Sequence, residues 1–328
     1  MRSGLCCVTM QSSEHSIGVD IGGTKILAAL VGADGVITRQ IQRPTPARDV
    51  PATERAIVEL VQELNDGEPS CPVGVGAAGW MNRDSSRVLF SPHLSWRDEP
   101  VRDRLESQLR RPVTLVNDAD AAGWAEYRFG AARGVNDMVC LTLGTGIGGS
   151  IILGGEVYRG SSGIAGEFGH QAIVPGGHRC ACGNRGCWEQ YASGNALGRD
   201  GAELVRSKSP VAHNLREACN DNASAVTGAL VTELAVQGDP ACRDLIEEMG
   251  QWLGLGISNL VSVLDPDMVV IGGGLGSAQT ELLAVAEANY RRTLSGRGYR
   301  PFARICRAQL GPSAGLIGAA DLARRQAR

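Results

Sequence analysis

Ile17-Gly18-Val19-Asp20-Ile21-Gly22-Gly23-Thr24-Lys25-Ile26-Leu27-Ala28-Ala29-Leu30-Val31 is the stretch that decides the fold. A short apolar strand runs to Asp20, a glycine turn follows at Gly22 to Thr24, and Lys25 to Val31 reads as the returning strand. A third strand, Val36 to Ile41, follows the turn at Ala33-Asp34-Gly35. The pattern then recurs further along. Met138 to Leu143 is a strand, Gly144-Thr145-Gly146-Ile147-Gly148-Gly149 a glycine turn, and Ser150 to Leu153 the strand that returns. Two such openings imply a coarse internal duplication, and a cleft between two similar halves is its expected consequence.

Between the two openings, Pro44 and Pro46 break the strand pattern ahead of a helix near Ala52 to Leu64. An apolar strand at Val73 to Ala77 ends in Ala78-Gly79, and a helix near Glu99 to Leu109 precedes the strand Val113 to Val116, which stops at Asn117-Asp118. The second half turns helical at about Ala241 to Val263. It continues with the strand Met268 to Ile271, a Gly272-Gly273-Gly274 turn, a long helix to about Leu294, and a last strand and helix within Ala303 to Ala327. Short apolar strands alternating with amphipathic helices make this an α/β protein. The boundary between halves falls near Asn117 to Gly134.

Composition narrows the function. With 328 residues the chain is long enough for two domains, and 20% charged residues with a net charge of −3 imply no broad basic surface for nucleic acid. No apolar run approaches the roughly 20 residues of a membrane helix, and residues 1–15 lack the apolar core of a signal peptide, so they read as a disordered lead-in. Of ten Cys, only Cys180, Cys182 and Cys187 are clustered; scattered buried thiols suit a reducing, cytoplasmic compartment. Only two of the 32 basic residues are Lys, and one of them, Lys25, sits in the first glycine turn.

The turns carry chemistry. A tight hairpin rich in Gly and Thr offers backbone N–H groups and hydroxyls to a phosphate with no side chain in the way. No Walker A pattern occurs, which excludes a P-loop enzyme. Asp20, at a strand end, is placed to hold hydrated Mg²⁺ on a triphosphate. The glycines after Met268 to Ile271 form a third candidate nucleotide platform, or simply a tight helix–sheet turn. Asn117-Asp118 lies at the C-terminal edge of a strand, where a carboxylate can accept the proton of an attacking hydroxyl. Asp118 could equally cap the helix from Ala119 to Phe129.

The sharpest local signal is Cys180-Ala181-Cys182-Gly183-Asn184-Arg185-Gly186-Cys187, with His170 upstream. Three thiols so close can wrap a tetrahedral ion, with His170 or His178 as the fourth ligand. A closed shell points to a structural Zn²⁺. The spacing is not the CxxC of a redox site. Glu167 and Glu189 flank the knuckle, and both carboxylates and imidazole are suited to grip sugar hydroxyls.

Asp20-Ile21-Gly22-Gly23-Thr24-Lys25, Leu143-Gly144-Thr145-Gly146-Ile147-Gly148-Gly149, Gly166-Glu167-Phe168-Gly169-His170 and Cys180 to Glu189 together resemble the ROK family (repressors, open reading frames, kinases). Asn117 to Tyr127 and Trp188 to Gly194 resemble its actinobacterial-type glucokinases. The resemblance implies an actin-like, ribonuclease H-like ATPase fold with two α/β domains around a cleft. Residues 16–117 would form the small domain, on which a C-terminal helix at about 312–328 packs back, and residues 118–311 the large domain with the zinc loop 170–189. It implies ATP and a hexose as substrates, with Mg²⁺ and structural Zn²⁺. Asp118 would be the base for the sugar 6-hydroxyl, and Gly79, His93, Asn117, Glu167, His170 and Glu189 would meet the sugar. Asp20, Gly22, Gly23, Thr24, Lys25, Gly144, Thr145 and Gly146 would hold the phosphates, Gly273 and Gly274 would lie near the adenosine, and His170, Cys180, Cys182 and Cys187 would ligate zinc. A homodimer or homotetramer with no nucleic-acid or membrane partner follows.

One departure from that pattern is Pro92-His93-Leu94-Ser95-Trp96, where glucokinases of the family tend to carry Asn in place of His93. A larger, differently directed ring suggests a changed group on the sugar, such as the 3-amine of kanosamine, whose kinases serve antibiotic pathways. The rival class is a sugar-responsive repressor. It would need a DNA-binding helix-turn-helix, for which some 15 residues ahead of the first strand leave too little chain.

Overall fold

The computed structural model describes residues 15–65, 71–278 and 280–327; all of the expected lead-in but His15 lies outside them. The chain forms two compact units, one of residues up to Ala125 with Gly315 onward, the other Glu126–Ala314.

In the first unit, β1 (His15–Ile21), β2 (Lys25–Gly32) and β3 (Ile37–Pro44) form an antiparallel meander. Helix α1 (Val50–Leu64) starts at Asp49, whose carboxylate accepts the Ala52 N–H at 2.9 Å, with proline in its first turn. Strand β4 (Val73–Ala77) pairs parallel with β1. A small sheet, β5 (Trp80–Met81), β6 (Val88–Phe90) and β7 (Arg97–Glu99), precedes α2 (Val101–Leu109). Glu99 therefore ends a strand where the sequence pattern had begun a helix. Proline at position 100 has no N–H to donate, and α2 starts after it. Strand β8 (Val113–Asn117) pairs parallel with β4 and leads into α3 (Asp118–Phe129). The five-stranded order is β3-β2-β1-β4-β8. Ile17, Val19, Ile57, Leu60, Val75, Leu105 and Leu115 are fully or almost fully buried in its core.

The second unit repeats this scheme. Strands β9 (Met138–Leu143), β10 (Ile147–Leu153) and β11 (Glu156–Val157) form the meander. After the cysteine loop come α4 (Gly194–Arg206), α5 (His213–Ala218), α6 (Gly228–Gln237) and the 25-residue α7 (Pro240–Leu264). Strand β12 (Met268–Gly272), helices α8 (Gly273–Ala278) and α9 (Thr280–Thr293), and strand β13 (Arg304–Arg307) follow. The long helix read from the sequence is described up to Ala278 and again from Thr280, and residue 279 lies outside the described residues. The sheet order is β11-β10-β9-β12-β13, the same third-second-first-fourth-fifth sequence as in the first unit. That shared order is the structural form of the duplicated motif.

The last helix, α10 (Ala314–Gln326), belongs almost wholly to the first unit. A Cβ on Gly74 would stand 1.9 Å from the carbonyl oxygen of Ala319, so glycine is required where α10 lies on β4. Buried Trp124 donates to Asp321 at 2.8 Å, and Asp321 in turn pairs with Arg324. Within the second unit, Glu126 is 1% exposed and accepts backbone N–H groups of Ala131, Gln309 and Leu310 at 2.7–3.0 Å. Burying a carboxylate is tolerable only with donors of this kind. No helix among the described residues is long and apolar enough to cross a membrane.

Candidate active site

The turn between β1 and β2 is held from behind. Thr45 donates its hydroxyl to the Gly22 carbonyl at 2.7 Å and its N–H to the Thr24 carbonyl at 3.0 Å, and Gly22 N–H closes the turn on Lys25 at 3.0 Å. Gly23, Thr24 and Lys25 stay exposed. Thr45 was not singled out in the sequence, because its partners are carbonyls and not a ligand. Asp20 lies at the base of this turn. Burial pushes its carboxyl up to about 6; the Asp118 charge adds to this and Lys25 opposes it.

Asn117 and Asp118 divide the work at the edge of β8. The Asn117 side-chain oxygen accepts the N–H groups of Ala119 and Asp120 at 2.9 and 3.1 Å, so Asn117 is the cap of α3. Its amide donates to the Gly79 carbonyl at 3.1 Å, leaving one amide hydrogen for a ligand. Asp118 keeps one short-range bond, from Ala119 N–H at 3.0 Å. Capping does not account for it. Burial raises its pKa, while backbone N–H groups and, more weakly, His93 act the other way.

His93 is exposed on a tightly fastened loop. Ser91 donates to the Ala78 carbonyl at 2.8 Å, Arg97 donates to the carbonyls of Ser91, Leu94 and Trp96 at 2.6–3.0 Å, and Trp96 is fully buried. This sets the His93 Cβ 3.2 Å from where a Cβ on Gly23 would be. Asp20, Asp118, Lys25 and His93 form one electrostatic cluster in the first unit.

In the second unit the turn between β9 and β10 opens onto a cavity of about 740 Å³, in the size range of small-molecule sites. Gly144, Thr145, Gly194, Asn195, Thr227, Glu233, Val236, Gly274 and Leu275 line it, with apolar surface dominant. Gly274 is among the lining residues. Gly273 is not among the lining residues; it turns the chain from β12 into α8 with a φ of +81°. The contribution of α4 and α6 was not legible, since Asn195, Thr227 and Val236 carry no chemistry that distinguishes them from ordinary helix-start and helix-face residues.

The cysteine loop closes on itself. The ligand atoms of His170, Cys180, Cys182 and Cys187 all lie within 4.8 Å of one another, and the Cys182–Cys187 and Cys180–His170 Nδ1 separations are both 3.6 Å. Thiolates around tetrahedral zinc, at Zn–S distances near 2.3 Å, stand about 3.7 Å apart. The donor set fits that ion. His178 does not join; it packs on Tyr191, ring centres 5.3 Å apart. With Nδ1 turned to the cluster, His170 Nε2 faces Glu167 at 3.7 Å, while Glu189 Oε1 lies 3.5 Å from Nδ1 and 3.1 Å from Cys180 Sγ. The structure thus brings Glu167, His170 and Glu189 together.

Three comparisons bear on this geometry. The model of the ROK family matches residues 16–326. A glucokinase of Streptomyces coelicolor is 42% identical over 309 residues, which is 94% of this chain and 97% of that one. Among solved structures, a ROK family glucokinase from Streptomyces griseus in complex with glucose and AMPPNP matches with a TM-score of 0.83 at 42% identity, over 95% of this chain and 99% of that one. A ROK hexokinase from Thermus thermophilus matches with a TM-score of 0.80 at 34% identity, over 95% and 98%.

Proposed function

The chain belongs to the ROK family and has its actin-like fold, and from that premise we propose that it transfers the γ-phosphoryl group of ATP to the 6-hydroxyl of glucose. The observation that carries the chemistry is Asp118. It is a carboxylate at a strand edge, relieved of helix capping by Asn117 and with a raised pKa. A base of that kind accepts the hydroxyl proton as the oxygen attacks phosphorus in line. The relatives reported above, at 34–42% identity, are named for glucose or hexose, which supports this reading.

The remaining residues orient and hold. Gly23 and Thr24 in one turn, and Gly144 to Gly146 in the other, present N–H groups and hydroxyls to phosphate oxygens. The largely apolar cavity suits the adenosine. Asp20 fits a hydrated Mg²⁺: its buried carboxylate, already disfavoured by Asp118, is relieved by a cation. When bound, Mg²⁺ supplies charge to the phosphates. Glu167, Glu189 and the outward Nε2 of His170 would grip sugar hydroxyls. His170 Nδ1, Cys180, Cys182 and Cys187 would hold a Zn²⁺ whose role is to fix that wall. Such an enzyme works in the cytoplasm, where its ATP is.

Replacing Asp118 with Asn should lower kcat by about 10³-fold. Glucose and nucleotide affinity and zinc content should change little. A variant that turns over at the wild-type rate overturns the assignment of Asp118 as base.

A further inference from the structure

We propose that the cysteine loop also positions the phosphate-binding turn Gly144–Gly146, so that an ion held by His170, Cys180, Cys182 and Cys187 tightens nucleotide as well as sugar. This rests on reading that turn as a nucleotide site and the cluster as a metal site. Three contacts within the second unit carry it.

The first is Glu189. Its Oε1 stands among the ligands, 3.1 Å from Cys180 Sγ and 3.5 Å from His170 Nδ1. Its other oxygen points at the turn, where a Cβ on Gly146 would stand 2.5 Å from it. The same carboxylate therefore touches the cluster and the turn. The second contact is the tail of the loop. Trp188 is fully buried and donates to the Trp252 carbonyl at 3.0 Å, which anchors the segment after Cys187. That segment then reaches the turn through two backbone bonds, Gly194 N–H to the Gly144 carbonyl at 2.8 Å and Asn195 N–H to the Thr145 carbonyl at 3.3 Å. Gly144, Thr145, Gly194 and Asn195 all line the 740 Å³ cavity, so loop tail and turn form one wall of it. The third is the turn of helix Phe168–His170, whose Phe168 ring covers Gly149 on the strand leaving the turn.

Between these anchors the loop has two three-residue helical turns, at Phe168–His170 and Trp188–Gln190, and two isolated β-bridges, Ala172 with Cys187 and Arg179 with Arg185. An ion that draws four ligands together removes the conformational freedom the loop would otherwise keep. The turn is then held in the shape the phosphates need before they arrive.

The test is equilibrium binding of AMPPNP, without sugar, to zinc-loaded and chelator-stripped protein, with zinc content and near-ultraviolet circular dichroism followed in parallel. Stripping should raise the AMPPNP Kd about tenfold, and by reciprocity saturating AMPPNP should weaken zinc loss to the chelator by the same factor. An unchanged Kd in stripped, folded protein overturns the proposal while leaving the nucleotide reading intact. Loaded protein that binds no AMPPNP overturns the nucleotide reading itself, and protein that takes up no zinc overturns the metal reading. If stripping unfolds the chain, Gly146→Ala decides instead. It should keep zinc and weaken AMPPNP by crowding Glu189, and Glu189→Ala alone, which cuts the contact without crowding the turn, should weaken AMPPNP too. No weakening in either variant refutes the link through Glu189.

Discussion

The β1–β2 turn and the β9–β10 turn occupy the same place in two sheets of the same strand order, yet they are surrounded differently. Following the register of the flanking strands, Asp20 pairs with Gly76 and its counterpart Thr142 pairs with Gly272. Asp118 corresponds in the same way to Leu310. The first unit thus puts two interacting carboxylates, Lys25 and His93 about its turn. The second has neutral residues at the matching carboxylate positions and surrounds its turn with a largely apolar cavity and the Glu189 side of the cysteine loop. Duplication supplied two phosphate-sized turns. On the proposed function, one of them would carry acid–base and cation chemistry and the other the fit to a nucleotide.

Substitution at the matched positions tests that division most severely. Asp20→Asn should lower kcat by about 10²-fold, the usual cost of removing one electrostatic stabiliser. Thr142→Val, at the corresponding site in the second unit, should leave kcat within about threefold and act on the KM for ATP if it acts at all. Steady-state kinetics with both substrates varied separates the two. Equal losses in kcat would mean that the two turns share the chemistry and the contrast is wrong.

Much of this was legible in the chain itself. Strands β4, β8 and β12 are buried on both faces, so their apolar runs stand out, and each ends in the polar or glycine residues that matter. The Cys180 to Cys187 knuckle needed only spacing. The small β5–β6–β7 sheet did not show, because its strands span two or three residues and have no periodicity to detect. The cavity of the second unit was only partly visible. Gly144, Thr145 and Gly274 are glycine-turn residues, but Asn195, Thr227 and Val236 reach the cavity only through the packing of α4 and α6. The roles of Asn117 and Asp118 could not be separated by sequence, since either residue is a good cap and only the hydrogen-bond geometry shows which one caps.

A smaller effect concerns stability. The Asp20 carboxyl is raised from its ordinary value to about 6, so the folded state holds a proton that the unfolded chain has lost between about pH 4 and 6. Stability therefore falls as pH rises through that window, and above about pH 6 the full penalty remains. Asp20→Asn should remove it. In metal-free and nucleotide-free buffer at pH 8 the variant should melt a few degrees higher than the wild type, by about 3 °C or more, with the gain vanishing by pH 4. Scanning calorimetry at both pH values checks this. A variant less stable at pH 8 would show that Asp20 is not under electrostatic strain.

The smallest expected effect lies at His93. His93 opposes the rise in the Asp118 pKa, and its side chain is exposed. His93→Asn should therefore move the acid limb of the kcat/KM profile upward, since Asp118 then takes up its proton at higher pH. Solvent screening of an exposed charge keeps the shift to about half a pH unit or less. The rise itself comes from burial of Asp118 and not from a neighbouring charge, so it should respond to salt differently from the influence of His93. In about 1 M salt the His93→Asn profile should merge with that of the wild type, because the Debye length there is only about 3 Å. The raised Asp118 pKa common to both proteins should persist in that salt, because burial and not a solvent-borne charge raises it. A His93→Asn shift that survived this salt would show that His93 does not act on Asp118 as a solvent-screened charge, and its place in the cluster about the first turn would be wrong.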